Sequence, residues 1–148
     1  MKTALLLVVL IVAAGMAYIR LAPSDPARWH IDPAPPMALP HGAVVAEPGA
    51  ARAVLDLGTI SPEEALSRLD AIALATARTV RLAGSPESGR ITWITRSAVF
   101  GFPDYTTAAA TRTGTSTEVK IYARLRFGSD DFGVNAARLG AWIARLVP

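Results

Sequence analysis

The sequence predicts an α+β fold, in which two helices cover an antiparallel sheet of four to five strands behind an N-terminal hydrophobic helix. Residues 117–126 alternate between apolar and polar side chains, which is the period of a strand with one covered face. Residues 61–64, Ser-Pro-Glu-Glu, form a helix start with a capping serine and a proline at the first helical position. Hairpin-length connections indicate antiparallel pairing in the order β-α-β-β-β-β-α. By fold-level analogy, the final helix across such a sheet resembles a helix-grip architecture.

The N-terminal segment is the first predicted element. Lys2 precedes an unbroken apolar run over residues 4–19. As a helix this run spans about 24 Å, short of the roughly 30 Å hydrocarbon core, and snorkelling of Arg20 extends it to Ala22. We therefore expect residues 1–22 to be an anchor that enters the inner membrane through residues 4–22. The alternative is a cleaved secretory signal, because residues 13–15 and 15–17 offer small side chains to a signal peptidase.

The orientation of this segment rests on few charges. The positive-inside rule weighs Lys2 against Arg20 and Arg28 and mildly favours a cytoplasmic domain. A basic start followed directly by an apolar run is nevertheless typical of an export signal. We expect the C-terminal domain to lie in the periplasm.

Residues 23–50 are predicted to be a proline-rich spacer. Repeated prolines prevent a continuous helix or a central strand and favour an extended, semi-rigid chain. Within it, Trp29 beside Arg28 has two interpretations. The pair suits the headgroup zone of a membrane, or Trp29 packs against the domain.

Residues 51–148 are predicted to be the globular domain. The helix that starts at Ser61 continues to about Ala75, and a final helix over residues 131–146 carries the apolar stripe that covers the sheet. The strands are expected at residues 53–57, 79–82, 90–99, 105–112 and 117–126.

Composition excludes several classes of function. The net charge of +3 is spread among interleaved acidic and basic residues, unlike the clustered charge of a nucleic-acid binder. Without cysteine the chain has neither disulfides nor thiolate sites. Both histidines, His30 and His41, lie in the spacer, so a serine-type triad and a histidine-based zinc site are not expected. We predict no cofactor, no metal site and no catalytic residue.

The segment 124–138, RLRFGSDDFGVNAAR, is the candidate site. Arg124 and Arg126 share one strand face, about 7 Å apart, and guanidinium groups bind phosphate or carboxylate in forked contacts. The alternative is a structural network, in which the arginines pair with aspartates and one aspartate caps the last helix. The predicted ligand-binding residues are Arg96, Asp104, Arg124, Arg126, Asp131 and Arg138.

Residues 95–105, TRSAVFGFPDY, followed by RFGSDDFGVNAAR resemble domain-of-unknown-function family 1499. The resemblance implies a bacterial or plastid protein behind a targeting or membrane segment, with no established activity. The family has serine-rich positions where this chain has Ala123, Leu125 and Asp130. Ligand contacts that depend on those serines are not expected here.

These observations lead to two functional hypotheses. The first is a membrane-tethered, non-catalytic binding or assembly module of the cell envelope, with an arginine-lined surface for an anion or lipid headgroup. The alternative is a small envelope enzyme that uses Asp104 or Asp131 together with an arginine.

Overall fold

The computed structural model describes residues 1–35 and 38–147; Pro36 and Met37 of the predicted spacer, and Pro148, lie outside them. The helices are α1 (Lys2–Leu21), α2 (Pro26–Trp29), α3 (Pro62–Leu74) and α4 (Val134–Leu146). The strands are β1 (Val44–Glu47), β2 (Ala50–Asp56), β3 (Thr79–Ser85), β4 (Arg90–Arg96), β5 (Pro103–Thr113) and β6 (Ser116–Leu125).

The strands form a single antiparallel sheet in the order β1-β2-β6-β5-β4-β3. The fold class is therefore α+β with an N-terminal apolar helix, as predicted. The β5–β6 hairpin is central and continuous, from the pair Asp104–Leu125 to the pair Thr113–Ser116.

The predicted number of strands, four to five, is wrong, because the sheet has six. The additional strand is β1, which lies within the stretch predicted to be spacer. Its prolines, Pro40 and Pro48, flank the strand instead of interrupting it, so four residues remain free to pair. Gly49, at a φ of 66°, makes the tight turn that returns the chain into β2.

Helices α3 and α4 cover one face of the sheet, and the core lies between them. The Ser61 hydroxyl accepts the backbone N–H of Glu64 at 3.0 Å, so α3 starts at the predicted cap. Trp93 of β4 and Trp142 of α4 meet edge to face in this core, with ring centroids 5.7 Å apart. The indole N–H of Trp142 donates to the Thr76 hydroxyl at 2.9 Å, so α4 is held against the end of α3.

Helix α1 is not part of this core. None of its residues is buried, and its mean hydropathy over an 18-residue window is 2.4. It is long and apolar enough to cross a membrane, and an N-terminal signal sequence would have the same properties. The helix meets the domain through its last turn. There, Arg20 donates to the carbonyl of Val99 at 2.7 Å, and the Tyr18 ring lies 6.1 Å from that of Phe127.

Candidate functional site

The six predicted site residues do not converge on one cavity. In the β5–β6 ladder Asp104 lies opposite Leu125, and Tyr105 lies opposite Arg124. Because side chains alternate along a strand, Asp104 faces the helices and Arg124 faces the opposite, open side of the sheet. The candidates therefore divide into the open face, the start of α4 and the end of β4.

On the open face, Arg124 is engaged by the protein itself. Its side chain is buried, with 8% of the residue exposed, and one guanidinium nitrogen donates to the carbonyl oxygen of Trp29 at 2.6 Å. The guanidinium also lies 4.9 Å from the centre of the Tyr122 ring. Burial away from water lowers the pKa of Arg124 from its ordinary value. This arginine fastens the chain that precedes the sheet.

Arg126 has a similar role, but it binds a part of the chain closer to the end of α1. Its Nη1 donates to the carbonyl oxygen of Pro23 at 2.9 Å and to the hydroxyl of Tyr105 at 3.0 Å. The same hydroxyl is hydrogen-bonded to Ser24 at 2.7 Å. The chain that leaves α1 is thus bound to β5 and β6 almost immediately.

Trp29 completes this attachment. Its ring stacks on that of Tyr105 with centroids 3.9 Å apart and an angle of 6°, and it packs beside Ile94 and Leu82. Between the two interpretations of Trp29, the structure shows packing against the domain. Residues 22–29, with Arg124, Arg126 and Tyr105, are called the tether clamp below.

The second group lies where α4 begins. A guanidinium nitrogen of Arg138 lies 3.5 Å from a carboxylate oxygen of Asp104, and the same guanidinium donates to the side-chain oxygen of Asn135. Burial raises the pKa of Asp104, and the positive charge of Arg138 opposes this rise. The side-chain N–H groups Asn135 Nδ2 and Arg138 Nε have no partner among the described residues. Asp104 is not among the residues that line five surface cavities in the described part of the chain.

Asp131 has a structural role. Its two carboxylate oxygens accept the backbone N–H groups of Gly133 at 3.1 Å and Asn135 at 2.7 Å. These bonds satisfy donors that the first turn of α4 leaves free. The helix starts at Val134, three residues after the predicted start, because Asp131 caps it across an intervening turn.

The open face also carries a groove that the sequence did not indicate. It has a volume of about 480 Å³, and its lining includes His30, Arg90 and Lys120. Burial, with a contribution from the charge of Arg90, lowers the pKa of His30. Arg90 and Lys120 come from separate strands in ordinary alternating patterns, so only the strand pairing brings them to the same groove.

Arg96 belongs to a third location, next to the end of α1. Its Nη1 donates to the carbonyl of Gly101 at 3.0 Å, and its own carbonyl accepts from Nε of Arg78 at 3.1 Å. Together with Arg20 and Val80, these arginines line a cavity of about 470 Å³. Sequence reasoning missed Arg20 and Arg78 because they are distant from Arg96 along the chain.

Comparison with known proteins agrees with the resemblance noted in residues 95–105 and 126–138. No curated protein matches this chain. One family profile matches residues 31–146, which include every element of the sheet and both covering helices. The chain belongs to the family described as Protein of unknown function (DUF1499).

Proposed function

We propose that this protein is a membrane-tethered, non-catalytic binding or assembly module of the cell envelope, held close to the inner membrane, with an arginine-lined surface for anionic groups. One combination of features carries the proposal. Helix α1 is apolar and contributes no buried residue, yet the chain directly after it is built into the sheet by the tether clamp.

The length of α1 supports an anchor. Twenty helical residues span about 30 Å, which equals the hydrocarbon thickness of a typical bilayer. In water, the same helix would expose a continuous apolar surface far larger than soluble monomers present. A bilayer removes this cost without any change in the fold of the domain.

The tether is short. Helix α1 ends at Leu21, and the carbonyl of Pro23 already accepts a hydrogen bond from Arg126. The first part of the predicted semi-rigid spacer, residues 23–29, is therefore a fixed connection. A domain fixed in this way works at the membrane surface and does not range far from it.

Membrane integration and sidedness are tested together. The chain has no cysteine, so a single Thr115→Cys in the exposed β5–β6 turn gives a unique label site. We expect the protein to stay in the membrane pellet after alkaline carbonate extraction. We also expect a membrane-impermeant maleimide to label the introduced thiol in cells with a permeabilised outer membrane and an intact inner membrane.

Two results would contradict the proposal. Extraction of the protein by carbonate would show that α1 does not anchor it in the membrane. Labelling that requires disruption of the inner membrane would place the domain in the cytoplasm. A matched variant with Leu10→Arg in the centre of α1 should lose membrane retention, because a charge at the bilayer centre opposes insertion.

The raised pKa of Asp104 is the observation that favours the alternative, a small envelope enzyme. In that case Asp104, beside Arg138, would serve as a general acid that substrate can reach. Carbodiimide coupling to an amine, read by mass spectrometry, tests this access. Rapid modification of Asp104 in the folded protein would support the enzyme, and protection until unfolding would exclude it. Asp131 is not part of this alternative, because its carboxylate caps α4.

A further inference from the structure

Three arginines from distant parts of the chain meet at one end of the sheet. Arg20 comes from the last turn of α1, Arg78 precedes β3 and Arg96 ends β4. They line the cavity of about 470 Å³ described above, and we call them the membrane-end arginines. The cavity also includes Val80 and Ala98, so it combines positive charge with apolar walls.

Each membrane-end arginine is positioned by backbone and keeps donors free. Arg20 donates to the carbonyls of residues 99 and 100, Arg78 donates to that of residue 96, and Arg96 donates to that of residue 101. Among the described residues, none of the three forms a salt bridge. A guanidinium has five N–H donors, and carbonyl bonds leave its charge uncompensated. No acidic side chain of the described residues therefore balances these three charges.

Apolar side chains project from residues 97–102, the loop between β4 and β5 whose backbone carbonyls accept hydrogen bonds from Arg20 and Arg96. Val99 is 66% exposed and Phe100 is 50% exposed. Exposed aliphatic and aromatic side chains beside arginines are typical of surfaces that enter the interface of a bilayer.

The position of α1 fixes the depth of this loop. Tyr18 lies three residues before the end of α1, about 5 Å along the helix axis, and its ring contacts that of Phe127. Phe127 in turn lies 6.2 Å from Phe102, and Phe102 lies 5.8 Å from Phe100. The loop is therefore level with the last turn of α1. When α1 spans the bilayer, that turn lies at the boundary of the hydrocarbon core, from which Arg20 reaches the headgroups, and the loop lies at the same level.

We propose that this end of the domain docks on the leaflet from which α1 emerges, with the membrane-end arginines bound to phosphates of anionic lipids and with Val99 and Phe100 inserted beside them. The inference rests on the proposed anchor. Two acidic side chains at the same end, Asp130 and Asp131, accept N–H groups of their own loop and keep their negative charge, so the membrane-end arginines have to outweigh them. The nearby Glu47 is paired with Arg52.

The test uses the full chain in vesicles of phosphatidylcholine, with or without phosphatidylglycerol. A single Ala98→Cys carries an environment-sensitive fluorophore, and doxyl groups near the lipid headgroups quench it on docking. A separate single Thr115→Cys is the control site. It lies at the opposite end of the β5–β6 hairpin, about 30 Å away by strand length.

We expect quenching at position 98 to be strong with phosphatidylglycerol, weak without it, and absent at position 115. Arg78→Ala with Arg96→Ala should shift the docking equilibrium by about 25-fold, since a basic side chain near an anionic surface contributes roughly five-fold. The matched control is Arg112→Ala. Arg112 is exposed and also donates to backbone carbonyls, but it lies at the far end of the sheet.

A second variant keeps the test independent of arginine effects on folding. Phe100→Ser removes an exposed ring and should reduce quenching while circular dichroism stays unchanged. Equal quenching in neutral and anionic vesicles, or in the double arginine variant and Arg112→Ala, would overturn the inference. If millimolar inorganic phosphate abolishes docking on the vesicles, the ligand of the membrane-end arginines is free phosphate and not the lipid headgroup.

The same samples separate a loss of loop docking from a loss of membrane anchoring. A chain that alkaline carbonate strips from the vesicles has lost the proposed function. An integrated chain whose position 98 stays in water retains the anchor and refutes only the docking.

Discussion

The substitution Trp29→Ala tests whether residues 22–29 belong to the fold. Trp29 is 9% exposed and stacks on Tyr105. Its backbone carbonyl oxygen accepts the hydrogen bond from Arg124, and its side chain shields that bond from water. Truncation of a buried tryptophan to alanine costs about 3–5 kcal/mol, and the stacked pair accounts for roughly 1 kcal/mol of that.

The lower end of this range applies here. The cluster around Trp29 is small, with Ile94, Tyr105 and Leu82 as its other members, and it lies at the edge of the domain. We therefore expect a loss of about 3 kcal/mol in the free energy of unfolding. For a domain of this size, that corresponds to a fall in Tm of roughly 10 °C.

The assay is thermal unfolding of the full chain in detergent micelles, followed by circular dichroism, with limited trypsin digestion beside it. Release of the clamp should unfold this segment, so that trypsin can cleave after Arg28, whose side chain is already exposed. Ile31→Ala is the matched control, because that side chain lies in the same segment and is 39% exposed. A Tm for Trp29→Ala within about 2 °C of the control, with no new cleavage at Arg28, would refute the reasoning that the segment is structural.

Three further predictions concern the described contacts. Gly84→Ala should lower the free energy of unfolding by more than about 2 kcal/mol, because Gly84 has a φ of 81° and a Cβ there would lie 1.9 Å from the carbonyl oxygen of Arg90; denaturant titration checks this. Asp70→Ala should cost about 3 kcal/mol in the same assay, since it leaves the buried indole N–H of Trp93 without its acceptor at 2.8 Å, whereas Asp70→Asn should cost less. Because the folded state lowers the pKa of His30 below its ordinary value of 6.5, the unfolded chain binds the proton first, so stability should fall as the pH drops below about 6.5. Tm measured at pH 7.5 and pH 5 should differ less in His30→Gln than in the wild type, and equal differences would refute the assignment.

Local sequence patterns predicted the elements whose one face packs against the helix or sheet beside it. The alternation in residues 117–126 corresponds to β6, and the cap at Ser61 starts α3 at the expected residue. These patterns can be recognised from sequence because an amphipathic strand or helix places apolar residues at a fixed period and a helix start favours particular capping residues. The family resemblance was likewise confirmed from two short segments.

The prolines led the sequence analysis to miss strand β1 and left two interpretations open for Trp29. Strand β1 and the packing of Trp29 both lie in a stretch whose prolines suggested an extended spacer. A proline excludes a helix interior or a central strand, but it does not prevent neighbouring residues from pairing at a sheet edge. Whether such a segment packs on the domain depends on residues far along the chain, and its own residue pattern does not reveal them.

The arginines show a different limit. Arg124 lies on β6 and Arg126 lies one residue beyond it. Both donate to carbonyl oxygens of residues 22–29, which no charge pattern reveals. Arg20, Arg78 and Arg96 are separated by 58 and 18 residues along the chain, and only the position of α1 and the β3–β4 pairing bring them together. The ligand-binding role of Arg96 stays a prediction, which the vesicle experiment tests.

The tether itself is tested most directly by the intact mass of the protein expressed from this sequence and extracted from membranes. We expect a single species with the mass of the whole 148-residue chain, 15.6 kDa. A species that begins at Met16 or Tyr18, after the small residues that a signal peptidase recognises, would contradict it.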